Sequence, residues 1–122
     1  MPKILIVEDD PFLSEMYSTK LIQENFEVDF AIDGKEALKK AREGKPDMIL
    51  LDIVLPKMDG FEVLREIKKD PAIRDIQIIA LTNLGQKEEV EKGLKLGADD
   101  YIVKAHFTPT EVINKIKQVI KK

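Results

Sequence analysis

The chain has 122 residues, 43% of them apolar and 35% charged, with a formal net charge of −3 and no cysteine. These totals suit one globular domain with a single core, and they exclude a disordered chain, disulfides, thiolate catalysis and cysteine-based metal sites. The acidic balance lacks the basic footprint of a nucleic-acid binder, and no run approaches the roughly 18 apolar residues of a membrane span.

The N-terminus, MPKILIVEDD, has too short an apolar run for a secretory signal, and acids follow at once. The chain therefore reads as a soluble cytoplasmic protein with no direct nucleic-acid contact and no membrane insertion. The first strand is KILIV (3–7), whose unbroken hydrophobicity suits a strand covered on both faces. Asp10 followed by Pro11 marks a helix start, with Asp10 as the cap. That helix sets Phe12, Met16 and Leu21, with Ile22 nearby, along one side. The second strand, EVDFA, alternates apolar residues with acids as an edge strand does, and Asp33-Gly34 ends it. A short amphipathic helix, KEALKKARE, is stopped by Gly44 and Pro46.

DMILL is a buried third strand, and FEVLREIKK a third helix pairing Phe61, Leu64 and Ile67 before Asp70-Pro71. IQIIAL is the fourth strand, KEEVEKGLKLG a fourth helix weakened by Gly93, and DYIV the fifth strand. The last helix starts at Pro109 and buries Val112, Ile113, Ile116, Val119 and Ile120. Strict β/α alternation with short connections predicts an α/β fold, a doubly wound five-stranded parallel sheet with helices on both faces. The expected strand order is the flavodoxin-like 2-1-3-4-5, a (βα)5 three-layer sandwich forming one domain over residues 1–122.

In such a sheet, sites form beyond the carboxyl ends of the strands, near the switch point between strands one and three. Glu8, Asp9 and Asp10 follow strand one, Asp52 follows strand three, Thr82 and Asn83 follow strand four, and Lys104 follows strand five. Two carboxylates about 5 Å apart at an effective dielectric near 20 repel by roughly 3 kcal/mol. Either protons are taken up, or a cation sits among the acids. Lys104 supplies one positive charge, and Mg²⁺, which favours sparse carboxylates and keeps waters, suits the remainder. Asp10 is assigned to capping alone. A lone loop histidine, His106, reads as solvated.

The set IVEDD, LLDIVLPKMDG, IALTN and DDYIVK resembles, over the whole chain, the receiver domain of two-component response regulators. The resemblance implies that Asp52 is the phosphoacceptor, taking a phosphoryl group from a phosphohistidine of a sensor histidine kinase or phosphotransfer protein. It implies that Asp9, Asp52 and the backbone carbonyl of Val54 hold Mg²⁺, with Glu8 acting through water. Thr82 is implied to bind a phosphoryl oxygen, Lys104 to pair with the phosphoryl group, and Tyr101 to turn inward as the helix 4–strand 5–helix 5 face is remodelled for a downstream protein target. A strand end offers Asp52 a rigid base and a semi-exposed tip, beside a loop shaped by Pro56 and Gly60. With no output unit after helix five, the expectation is a stand-alone regulator, a monomer or a weak phosphorylation-dependent dimer.

The chain departs from the family pattern where Ala105 stands in place of proline after the lysine. A trans bond is expected there, since a cis bond without proline costs about 2.5–4 kcal/mol. Asn83 is larger than the usual small residue, and the apolar Val54 and Leu84 predict slow loss of the phosphoryl group. Three rivals stand beside this reading. An aspartyl-phosphate phosphatase lacks its second acid here, because Val54 holds that position. A flavodoxin would meet repulsion from Glu8, Asp9 and Asp10 at its phosphate loop. A degenerate, phosphorylation-independent module is opposed by the complete acid, threonine and lysine set.

Overall fold

The computed structural model describes residues 1–55, 58–82 and 87–120. The elements follow in the order β1 (Lys3–Val7), α1 (Pro11–Gln23), β2 (Glu27–Ala31), α2 (Gly34–Gly44), β3 (Met48–Asp52), α3 (Gly60–Lys69), β4 (Gln77–Thr82), α4 (Lys87–Lys95), β5 (Asp100–Val103) and α5 (Pro109–Val119), with one turn of 3-10 helix at Lys104–His106. All four strand pairings are parallel, and the order is β2-β1-β3-β4-β5. This is the flavodoxin-like α/β fold. No helix among the described residues is long and apolar enough to cross a membrane.

The apolar runs become buried strands because helices cover both sheet faces. Every residue of β3 and β4 is buried. On one face, Leu5, Val7, Ile49 and Leu51 pack against Ala37, Leu38 and Ala41 of α2 and Val63, Leu64 and Ile67 of α3. On the other, Ile4, Ile6, Met48, Leu50 and Ile102 pack against Tyr17 and Leu21 of α1 and Val112, Ile113 and Ile116 of α5. The edge strand β2 leaves Phe30 exposed, and Lys40 of α2 covers that edge by donating to the Phe30 carbonyl and to Asp29. A charged side chain laid on an open edge discourages strand addition.

Local chemistry starts the helices. Asp10 accepts from the Phe12 and Leu13 N–H groups ahead of Pro11, as predicted. Asp33 and Asp59 cap α2 and α3 by accepting from Glu36 and Glu62. Thr108 and Glu111 form a reciprocal capping box at α5. At the end of α2 it is Lys45, not a glycine, that takes the left-handed conformation, with φ 42°.

The buried face of α1 differs from the predicted one. Phe12 is 70% exposed and Ile22 59%, whereas Ser14, Tyr17, Ser18 and Leu21 face the interior. These four also keep helical spacing. Leu21 is buried as the helical spacing predicts, Phe12 and Ile22 are turned outward, and Tyr17 and the two serines complete the inner face. Residues on α5 behave as predicted, with Val112, Ile113, Ile116 and Ile120 buried and Val119 partly so.

Two glycines have contrasting roles. A Cβ on Gly60 would lie 2.5 Å from the Asp52 carbonyl oxygen and from Ile53 Cα, and the Gly60 N–H donates to the Ile53 carbonyl at 2.8 Å. Gly60 lets α3 start directly against the end of β3. Gly93 is buried in α4, yet an added Cβ would meet only Phe61 and Ala80 at 3.9 and 4.0 Å, ordinary contact. Chemical denaturation is expected to show Gly93→Ala gaining up to about 1 kcal/mol from helix propensity. Gly60→Ala is expected to lose about 3 kcal/mol through overpacking.

Candidate functional site

Strand alternation decides which side chains meet. Ile6, Leu50 and Ile102 face α1 and α5, so the residues two further on, Glu8, Asp52 and Lys104, emerge on the same side at the carboxyl ends of β1, β3 and β5. Because β1 and β3 are neighbours, their acids converge. Lys104 spans the distance from β5. Its Nζ lies 2.6 Å from Glu8 Oε1 and 2.7 Å from Asp52 Oδ2.

Asp52 is the last residue of β3, paired with Leu81 of β4. Its tip is sealed rather than semi-exposed, the residue being 2% accessible. Both oxygens are engaged, Oδ2 by Lys104 and Oδ1 by the Val54 N–H at 3.0 Å. The sequence pattern did not signal this Val54 amide contact, since any residue supplies an N–H. Nor did it signal the Lys104–Glu8 contact, which depends on the lateral order of the strands.

The charges are unbalanced. Burial, reinforced by the hydrogen bond and charge of Asp52 and opposed by Lys104, raises the Glu8 carboxyl from 4.5 to about 8. For Lys104, burial works against the charged form but is outweighed by the hydrogen bonds and charges of Asp52 and Glu8, so its pKa rises. One ammonium cannot neutralise two buried carboxylates and a neighbouring Asp9. A proton on Glu8 is one remedy, and a cation is the other.

The residues fit a hard divalent cation. Glu8, Asp9 and Asp52 each offer a carboxylate oxygen, all within 4.8 Å of one another. Asp9 is exposed while Glu8 and Asp52 are buried, so one side of the cluster is open to water. The acidic cluster therefore fits Mg²⁺ binding.

The other predicted residues surround this cluster. Thr82 is 1% exposed, and its hydroxyl donates to the Ile102 carbonyl at 3.5 Å. Tyr101, on the edge strand β5, is 38% exposed. Val54 is 56% exposed, and His106 is exposed. No peptide bond among the described residues is cis, so Lys104–Ala105 is trans, as expected. Pro56, Asn83 and Leu84 lie outside the described residues.

A sequence profile of the response regulator receiver domain matches residues 4–117. The chain belongs to the response regulator receiver domain family. It is 37% identical over its full length to the DNA-binding dual master transcriptional regulator RpaA of Synechocystis sp., covering 50% of that protein. It is 38% identical over its full length to the phosphate regulon transcriptional regulatory protein PhoB of Rhizobium meliloti, covering 53%. Among solved structures it resembles chemotaxis response regulator CheY4 of Vibrio cholerae, with a TM-score of 0.91 at 32% identity, over 98% of this chain and 99% of that one. The chain thus spans about half the length of the curated relatives it matches. Receiver domains are phosphoacceptor signalling modules that interact with histidine kinases and downstream effectors, rather than classical enzymes.

The raised carboxyl of Glu8 carries a pH signature. Between its unfolded value of 4.5 and its folded value of about 8, the folded receiver domain holds a proton that the unfolded chain has released. Its contribution to stability is therefore complete below about 4.5 and is lost as pH rises through about 8. In denaturant titrations without divalent ions, stability is expected to fall from pH 5 to pH 9. Glu8→Gln, which keeps the neutral shape and cannot ionise, is expected to remove most of that slope.

Proposed function

We propose that this receiver domain accepts a phosphoryl group on Asp52 from the phosphohistidine of a sensor kinase or phosphotransfer protein, in a Mg²⁺-dependent reaction. The observation that carries this reading is Lys104 held at 2.6 and 2.7 Å between Glu8 and Asp52, beside Asp9. That arrangement is short of positive charge and lies where a parallel sheet places its ligands. Asp9, Asp52 and the Val54 backbone carbonyl would hold the ion directly, with Glu8 acting through water. When bound, the ion supplies charge neutralisation for the phosphoryl oxygens.

The chain's own residues do the remaining work. The Asp52 carboxylate attacks phosphorus as the bond to the donor nitrogen breaks, and the Val54 N–H fixes the direction of the attacking group. Lys104 leaves Glu8 and Asp52 Oδ2 for a phosphoryl oxygen, exchanging one anionic partner for another. Thr82 turns its hydroxyl from the Ile102 carbonyl to the phosphoryl group, which draws the end of β4 toward Asp52. Tyr101, exposed in this state, turns inward toward the position Thr82 leaves. The face formed by α4, β5 and α5 then changes its affinity for a downstream protein target, a population shift between two states of one element. The weak dimer or monomer expected from the sequence would respond through the same face.

The size of CheY4 supports a receiver acting alone. The sizes of RpaA and PhoB support a longer regulator of which this domain is one part. The intact mass of the protein isolated from its native cell separates the two.

Incubation with acetyl phosphate and Mg²⁺ is expected to add one phosphoryl mass. Asp52→Asn, or chelation of divalent ions, is expected to abolish it. A protein that releases phosphate continuously from small phosphoesters, without a labelled intermediate, would instead be a phosphatase. Thr82→Ala is expected to keep the label while weakening the change that beryllofluoride produces in the α4–β5–α5 amide resonances. With Val54 apolar, the label is expected to persist well beyond a scale of seconds in a chase after phosphodonor removal.

A further inference from the structure

Tyr17 has no part in the chemistry above, yet the fold sets it in the apolar layer beneath the charged triad. α1 begins at Pro11, directly after Asp9 and Asp10, and runs away from the site along the sheet. Helical side chains lean back toward the helix N-terminus, so a long side chain in the second turn of α1 leans toward the site. Tyr17 is 3% exposed and shares an apolar cluster with Ile6, Leu50 and Ile102. Those three stand on the same strand faces as Glu8, Asp52 and Lys104, one layer below them. The ring of Tyr17 is a side wall of the layer on which the triad rests.

Its hydroxyl makes no hydrogen bond to a described residue, while no side-chain nitrogen or oxygen shut off from solvent among them lacks a partner. The hydroxyl is therefore the part of Tyr17 that reaches water, at the rim of the core. Burial pushes its phenol above the usual range, and the charges it feels are those of Lys104, Glu8, Asp52 and Asp10, in that order. A phenol held high remains a hydrogen-bond donor at neutral pH.

When Lys104 moves to a phosphoryl oxygen, Glu8 keeps the Asp9 N–H on Oε2, but its buried Oε1 loses the ammonium 2.6 Å away, and a buried acceptor left short of a donor is costly. We propose that Tyr17 is a positioning residue of this site, its hydroxyl donating to Glu8 once Lys104 has turned to the phosphoryl group. The proposal rests on the phosphoryl-transfer reading. It adds a donor from α1 to a site otherwise built from strand ends, and it explains a phenol where an aliphatic side chain would fill the same core.

The test compares Asp52 labelling by acetyl phosphate and Mg²⁺ in the wild type, Tyr17→Phe and Tyr17→Leu, with the tyrosine ¹³Cζ resonances followed on adding Mg²⁺ and beryllofluoride. The protein has two tyrosines, so the resonance missing from Tyr17→Phe belongs to Tyr17. Labelling of Tyr17→Phe is expected to be about tenfold slower, the worth of one hydrogen bond to a charged group, with Tyr17→Leu no slower. The Tyr17 resonance of the wild type is expected to move when beryllofluoride binds. A purely structural ring would leave Tyr17→Phe unaffected and slow only Tyr17→Leu. Either an unchanged Tyr17→Phe rate or an unmoved Tyr17 resonance overturns the proposal. Failure of the wild type to label at all overturns the functional reading beneath it, and is recognised before any variant is compared.

Discussion

One ammonium group is shared between two buried carboxylates at the end of a parallel sheet, and most of the site follows from that shortage of positive charge. Lys104 reaches Glu8 and Asp52 where both carboxylates are buried. There each charge interacts more strongly than it would at the surface. A buried ion pair is a poor source of stability, because desolvation offsets attraction. Its persistence in this chain is better understood as readiness to exchange partners. The proton on Glu8 and, in the proposed reaction, a divalent ion and an incoming phosphoryl group all draw on the same lysine and the same acids.

Such a site needs a rigid frame. β3 supplies it, being buried along its whole length and paired on both sides. Gly60 brings the start of α3 against the end of that strand, and the Val54 amide holds one oxygen of Asp52. The groups expected to move lie elsewhere. Thr82 has a weak, long hydrogen bond to the Ile102 carbonyl, and Tyr101 stands on the outermost strand with part of its ring in solvent. A fully buried strand holds Asp52, the proposed phosphoacceptor, while Tyr101 lies at the edge of the sheet.

RpaA and PhoB are about twice the length of this chain, while CheY4 is matched almost from end to end. What this chain shares with CheY4 is the receiver fold.

The alternation of apolar runs with helical periods determined the fold class, the strand order and the end of the sheet where the acids gather, because burial of strand faces leaves few arrangements of five parallel strands. Motif spacing likewise placed Glu8, Asp9, Asp52, Thr82 and Lys104 at the carboxyl end of the sheet, since each ends a strand or lies within two residues of its end. Tertiary structure alone decided how they pair. Whether Lys104 meets Glu8, whether the tip of Asp52 is sealed, and which side of α1 faces inward all depend on distances between residues far apart in the chain. In α1 the apolar residues nearly balance between two faces, so helical period could not choose, and Ser14 and Ser18 lie on the inner face beside Tyr17 and Leu21. The contact of the Val54 amide with Asp52 was equally invisible, for a backbone N–H is common to almost every residue and only its place in space makes it a part of the site.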